Sequence, residues 1–411
     1  MNLRTVAFTI VASIAGAEPC AGSALENVQQ GNPQAQHVWH AQGDRVVVPF
    51  EWHDGHIVIR VRINDSAPVR LAFDTGAGAT VLFETERTRG LRLQAQRQIP
   101  IGGSAGVDLV NDATLSLDGI DVTRLTILHV PLRNSPIFAN DDEAYFDGAV
   151  GYDLLHRFVT EIDYVKQVIR FSKGPADVAA DEAWRIVPID VTGRVPVISV
   201  HLVHLQGARA RAESVRLLVD SGAPAYAYLN PDLTKRIAVP ARNYLTRGRS
   251  FNGPYERVTA RLAAFSLGGF EFPGLVTHFD RTDFKDLGKA VGLIGNGVLR
   301  NFDLIFDYRA GTLAMRRNAR FDPNSTADRS GIDLQPHRLG AIVRSVAPGS
   351  AAEKLGLKPG EVLTEIDGRS IRSDTFDAVK DLLSSDRQAL TLCWRAQNER
   401  SCQPLPLVDR L

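Results

Sequence analysis

Cysteine is nearly absent from this chain: Cys20, Cys393 and Cys402 are the only three in 411 residues. Net charge is absent too, with 47 Lys and Arg against 47 Asp and Glu, so bulk charge points to neither nucleic acid nor an anionic membrane as partner. Beyond the N-terminus no apolar run approaches the length of a bilayer span, so no membrane span is expected. The zinc-binding pattern H-E-x-x-H does not occur, and His53, His56, His201 and His204 have no Cys or Glu partner at a zinc spacing. We expect these histidines at the surface or at strand edges, and expect neither a metal nor another cofactor. Strong helical patterning is likewise scarce before the last eighty residues.

What is present begins with a leader. A basic Arg4 precedes an uncharged stretch from Thr5 to Ala17, and Ala15-Gly16-Ala17 offers small residues for cleavage. We expect an export signal within residues 1–24, cut after Ala17 or Ala24, and a periplasmic or secreted product. Cys393 and Cys402 then flank a hairpin in which they lie opposite each other, either as one disulfide or as two free thiols.

The main signal is a repeat. "VRLAFDTGAGA" at Val69 returns as "VRLLVDSGAPA" at Val215, placing Asp74 and Asp220 at matched positions. Gly148, Gly151, Leu155, Phe158, Asp163 and Tyr164 match Gly292, Gly295, Leu299, Phe302, Asp307 and Tyr308 at nearly the same offset. The chain therefore holds one unit of short β-branched strands twice, and duplicated units tend to pack about a pseudo-two-fold axis. That packing would make Asp74 and Asp220 neighbours. Two adjacent carboxyls share one proton and can act together as general acid and base. Thr75 and Ser221 would brace the loops, Gly76 and Gly222 would bring N–H groups to the carboxyls, and Ala77 and Ala223 would withhold further hydroxyls.

These residues resemble the aspartic peptidases of the retropepsin-like branch: D-T-G-A from Asp74, D-S-G-A from Asp220, and the apolar-apolar-Gly elements Ala149–Gly151 and Leu293–Gly295. The resemblance covers about Val46 to Arg316. It implies a mainly β fold with two retropepsin-like lobes, residues 42–175 and 185–318, related by a pseudo-two-fold axis in a monomer. It implies an aspartic endopeptidase that hydrolyses polypeptide substrates, with Asp74 and Asp220 catalytic; the alternative is a non-catalytic peptide-binding scaffold. The halves are not equivalent, because Tyr226 stands opposite Thr80 and Pro224 opposite Gly78. Flaps are expected around Gly102, Gly103 and Ser104 and around Ser250, Phe251 and Asn252, although ordinary hairpin turns would have the same composition. "GGSAG" at Gly102 also fits the serine-hydrolase elbow, but strand-like sequence follows where that motif needs a helix. The acidic "NDDEA" at Asn140 is expected to be a solvated loop.

After a polar linker from Arg316 to Gly331 the texture changes. "APGSAAEKLGLKPGEVLTEIDG" and a helical pattern from about Asp374 to Leu383 resemble an α+β PDZ domain of bacterial exported proteases, over residues 330–409. The resemblance implies a partner peptide or protein C-terminus, bound between that helix and a strand containing Leu339, Gly340, Ala341, Ile342 and Val343.

Overall fold

The computed structural model describes residues 35–411 except 92, 101–105, 132–144, 176–177, 179–181, 207–208, 251–252, 282–288 and 397–398. The leader, Cys20, the acidic loop and the tips bearing Gly102, Gly103, Ser104, Phe251 and Asn252 lie outside the described residues. Ser250 ends the strand Asn243–Ser250, which pairs antiparallel with Gly253–Arg261. In the same way Arg97–Pro100 pairs antiparallel with Gly106–Leu117, so both expected hairpins have their stems.

The fold is mainly β, as the β-branched alternation requires. One nine-stranded sheet is drawn from residues 36–150 and a second from residues 197–294. Each has the same local wiring. In the first, Gly148–Val150 lies between Val69–Phe73, to which it is parallel, and Val81–Phe83, to which it is antiparallel. In the second, Gly292–Ile294 lies between Arg209–Val219, again parallel, and Ala227–Leu229, again antiparallel. Matched sequence has therefore produced matched topology at the two aspartate loops.

A six-stranded sheet joins the two halves. At its centre Val159–Asp163 runs antiparallel to Phe302–Asp307, so the two copies of the downstream element pair with each other. One continuous core runs through both units, including Phe73, Phe171, Phe272 and Phe302. The halves consequently share their apolar burial instead of closing separate cores.

The C-terminal domain has its own core around Phe376, Leu392 and Trp394, beneath a sheet ordered Ile332–His337, Gly340–Val346, Val362–Ile366, Ala389–Ala396, Glu399–Pro406. Ser350 caps the short helix Ala351–Lys354 by accepting from the Glu353 N–H, and the longer helix is Phe376–Leu383. Cys393 and Cys402 pair across the last two strands and are joined by a disulfide. The linker is less free than its composition suggests. Ser325 is buried, and its hydroxyl accepts from the Val276 N–H while Asn301 takes the Asp322 N–H, pinning the segment to the second unit. No helix among the described residues is long and apolar enough to cross a membrane.

Candidate functional site

Each aspartate loop is set by the strand beneath it. The Asp74 N–H donates to the Val150 carbonyl and the Asp220 N–H to the Ile294 carbonyl, both at 2.9 Å. The small residues that follow are required by close approach. A side chain at Gly151 would meet the Asp74 carbonyl at 1.9 Å, and one at Gly222 would meet the Asp74 carboxyl at 2.3–2.5 Å.

The two loops hold one another through reciprocal bonds. The Thr75 N–H donates to Ser221 Oγ and the Ser221 N–H to Thr75 Oγ1, each at 3.0 Å. The Thr75 hydroxyl then donates to the Val219 carbonyl at 2.7 Å, and the Ser221 hydroxyl to the Phe73 carbonyl at 2.8 Å. The structure thus brings together Asp74, Thr75, Gly76, Asp220, Ser221 and Gly222, and buries both aspartates completely.

Within the pair, each Oδ1 accepts a backbone N–H, from Gly76 or Gly222, at 2.8 Å. Each Oδ2 is buried with no donor from the rest of the protein. The two carboxyls are hydrogen-bonding neighbours, so the pair can hold one proton between them. Burial pushes the Asp74 acid up to about 6, against the pull of its hydrogen bonds. Asp220 is pushed well above its ordinary range by burial first and the Asp74 charge second. Such a pair can give a proton to, and take one from, a polar group placed between its two halves.

Asn296, which the sequence left unmarked, and Tyr308, marked there only as a repeat position, complete the site. Asn296, directly after Gly295, donates through Nδ2 to the Ser221 carbonyl at 2.6 Å and the Gly55 carbonyl at 2.9 Å. Its Oδ1 accepts the Tyr164 hydroxyl at 2.8 Å. Tyr308, the repeat partner of Tyr164, is buried with its hydroxyl unpartnered, held above its ordinary range by burial and then by the Asp74 charge. The signal for this asymmetry was that position 296 is Asn where the first copy has Tyr152.

The second copy's departures face the C-terminal domain. Thr80 is buried and bonds Asp153, whereas Tyr226 lines a cavity of about 580 Å³ between the second unit and the C-terminal domain. Pro224 packs against the Gly55 turn so closely that a side chain at Gly55 would overlap it at 2.4 Å. That turn also docks the last domain: the Asp54 N–H donates to Asp377 at 3.0 Å, and Lys380 Nζ reaches Asp54 at 2.6 Å. Lys380→Met removes the cation that faces the buried Asp54, at a cost of about 1–2 kcal/mol after allowing for the partly exposed lysine. It is expected to raise amide exchange at residues 53–56, measured by mass spectrometry; unchanged exchange would show that the pair does not hold the domains together.

Two expectations need correction here. Gly340, Ala341, Ile342 and Val343 lie on or beside an inner strand, Gly340–Val346, whose two edges are both occupied by neighbours, and Leu339 is in the exposed turn before it. The strand with a free edge facing the helix side is Ile332–His337. His53, His56 and His204 are buried, not superficial. His53 stacks on Tyr145 at 3.3 Å, and burial lowers its basicity to about 4, so it is neutral.

Residues 342–395 match the family model of the PDZ domain. The C-terminal domain is a PDZ domain. Two curated proteins are also similar to this chain, each bearing the name "putative zinc metalloprotease". One, from Neisseria meningitidis serogroup A, is 26% identical over 53% of this chain and 51% of its own length. The other, from Rhizobium meliloti, is 42% identical over 17% of this chain and 18% of its own. The chain thus spans about half the length of the first and less of the second.

These names correct the expectation of an aspartic endopeptidase, because the relatives carry the zinc type. The paired D-[ST]-G motifs report a duplicated loop, and a loop shared with a family does not fix its chemistry. A zinc ion in turn needs a set of donors. Among the described residues no group of three or more His, Cys, Asp or Glu could hold a metal, and H-E-x-x-H is absent from the sequence. The residues described do not fit a zinc ion.

Proposed function

We propose that this protein binds polypeptide in extended form, its PDZ domain holding the chain against a double-β body centred on the proton-sharing pair Asp74 and Asp220. The observation that carries this reading is the cavity of about 580 Å³. Ile332, Leu334 and Asp381 of the PDZ domain line one side, and Tyr228, His278 and Arg300 of the body line the other. Ile332–His337 lies at a sheet edge there, and an extended peptide can extend such an edge through main-chain hydrogen bonds. The relatives' names make peptide-bond hydrolysis the activity to test on the bound chain.

The matched wiring and reciprocal Thr75–Ser221 bonds support two copies about a pseudo-two-fold axis, acting as one chain. The disulfide Cys393–Cys402 supports a periplasmic or secreted location, since such bonds persist in oxidising compartments.

The test is retention of a reduced, carboxymethylated and therefore unfolded protein on the immobilised full chain. Asp381 is an exposed residue of the helix Phe376–Leu383 at the cavity wall, so Asp381→Trp blocks the groove without disturbing the core. We expect that variant to bind about tenfold more weakly, a loss of about 1.4 kcal/mol. Equal retention by both proteins would overturn the reading. New amino termini in the same mixture would establish hydrolysis, and their response to a chelator would assign its type.

A further inference from the structure

The chain enters the edge strand Ile332–His337 through residues 328–331, and the main-chain N–H groups of residues 329–332 are already spent, that of Arg329 on the Leu383 carbonyl, although Arg329 Nε is buried without a partner. The Ser330 N–H donates to Asp328 Oδ1 at 3.1 Å, the Gly331 N–H to Asp328 Oδ2 at 2.7 Å, and the Ser330 hydroxyl also to Asp328 Oδ1. The Ile332 N–H donates to Ser330 Oγ at 3.0 Å. Arg410 Nη1 approaches Asp328 Oδ2 at 3.3 Å while its guanidinium lies 3.7 Å from the Tyr244 ring centre. Arg329 donates through Nη1 to the Ser385 and Arg387 carbonyls and through Nη2 to that of Leu407. Gly331 is indispensable to the loop: its φ is +78°, and a side chain there would overlap Ser350 at 2.2 Å.

A cluster of main-chain N–H groups at the start of a strand is the natural receptor for the terminal carboxylate of an added peptide strand. Here an internal carboxylate fills it. A second carboxylate brought alongside would find these N–H groups occupied and would meet the like charge of Asp328, which Arg410 offsets only in part. The cavity, moreover, does not stop at this loop. Beyond Asp328 its wall continues through Ala327, Thr326, Arg410, Tyr244 and Tyr226.

We infer that the groove accepts an internal stretch of polypeptide that continues past the strand toward the body, and not a chain terminus. This rests on the proposed binding of polypeptide at the groove and names the part of the polypeptide that is bound.

Two pools of N-acetylated random decapeptides, identical except for a C-terminal carboxylate or carboxamide, test it on the full chain at pH 7.5. Retention is read by mass spectrometry, and the binding that counts is the part lost in Asp381→Trp. We expect the two pools to bind within about threefold of each other. Asp328→Ala, which empties the nest, should shift the preference to the free acid by about tenfold, and Asp328→Asn, which keeps the shape, should shift it less. A tenfold preference for the free acid in the unaltered chain would overturn the inference and leave polypeptide binding standing. An unchanged preference in Asp328→Ala would overturn the role given to Asp328. Retention of neither pool would overturn the inference together with the polypeptide-binding reading.

Discussion

Asp220→Asn is expected to melt higher than the unaltered protein at pH 7.5 and at nearly the same temperature at pH 4. In the folded chain burial raises both acids, Asp74 to about 6 and Asp220 well above its ordinary range, whereas the unfolded chain releases these protons near 3.8. The folded state therefore holds protons more tightly than the unfolded state. The stability this contributes is complete below about pH 4 and is lost as pH rises through about 6 and beyond. An amide at position 220 does not titrate, and its Nδ2 can donate to the neighbouring Asp74 carboxyl. Removing the repulsion should recover about 2–3 kcal/mol at neutral pH, since each tenfold change in proton affinity is worth about 1.4 kcal/mol. That is a rise of a few degrees in calorimetric midpoint. A variant melting lower at both pH values would show that the carboxyl at 220 is needed for packing and that no repulsive pair exists.

Asn296→Leu is expected to be the most damaging single change to the body. Its one amide satisfies the Ser221 carbonyl, the Gly55 carbonyl and the Tyr164 hydroxyl, and all lie at buried or half-buried positions between the units. Leucine has about the same size, so little cavity is left, and the loss is polar. Each buried group without a partner costs about 1–3 kcal/mol, so roughly 3 kcal/mol or more is at stake. Urea unfolding followed by intrinsic fluorescence measures it. A loss below about 1 kcal/mol would mean that water or another group takes over these bonds. The effect should also reach the PDZ domain, because the Gly55 turn held by Asn296 is the one whose Asp54 pairs with Lys380.

Much of the scaffold was legible in the residues. The repeated apolar frame before Asp74 and Asp220, and the glycines that let the downstream strand pass close beneath each loop, record a backbone constraint that few other residues satisfy. The PDZ domain was legible because its turns and caps are local, as Ser350 and its Glu353 N–H show. Catalytic type was not legible in this way. The D-[ST]-G loops suggested one chemistry and the names of the relatives another, because a loop motif encodes backbone geometry before it encodes a reaction. The strand expected beside the PDZ groove proved to be an inner one for a related reason. Apolar alternation marks a strand, but which strand has a free edge depends on pairing order, and Ala341 and Val343 gave no sign of neighbours on both sides.

The sequence by itself determined that there are two copies of one β unit and a third domain of different texture, since periodicity, glycine spacing and repeat offset are properties of the chain alone. Only the tertiary structure decided that the two aspartates share a buried space, that Asn296 ties the Ser221 loop to the Gly55 turn, and that Asp328 fills the loop beside the PDZ edge strand. Those outcomes depend on which groups meet after folding: a lone Asn or Asp has no periodicity, and its partners lie far away in the chain.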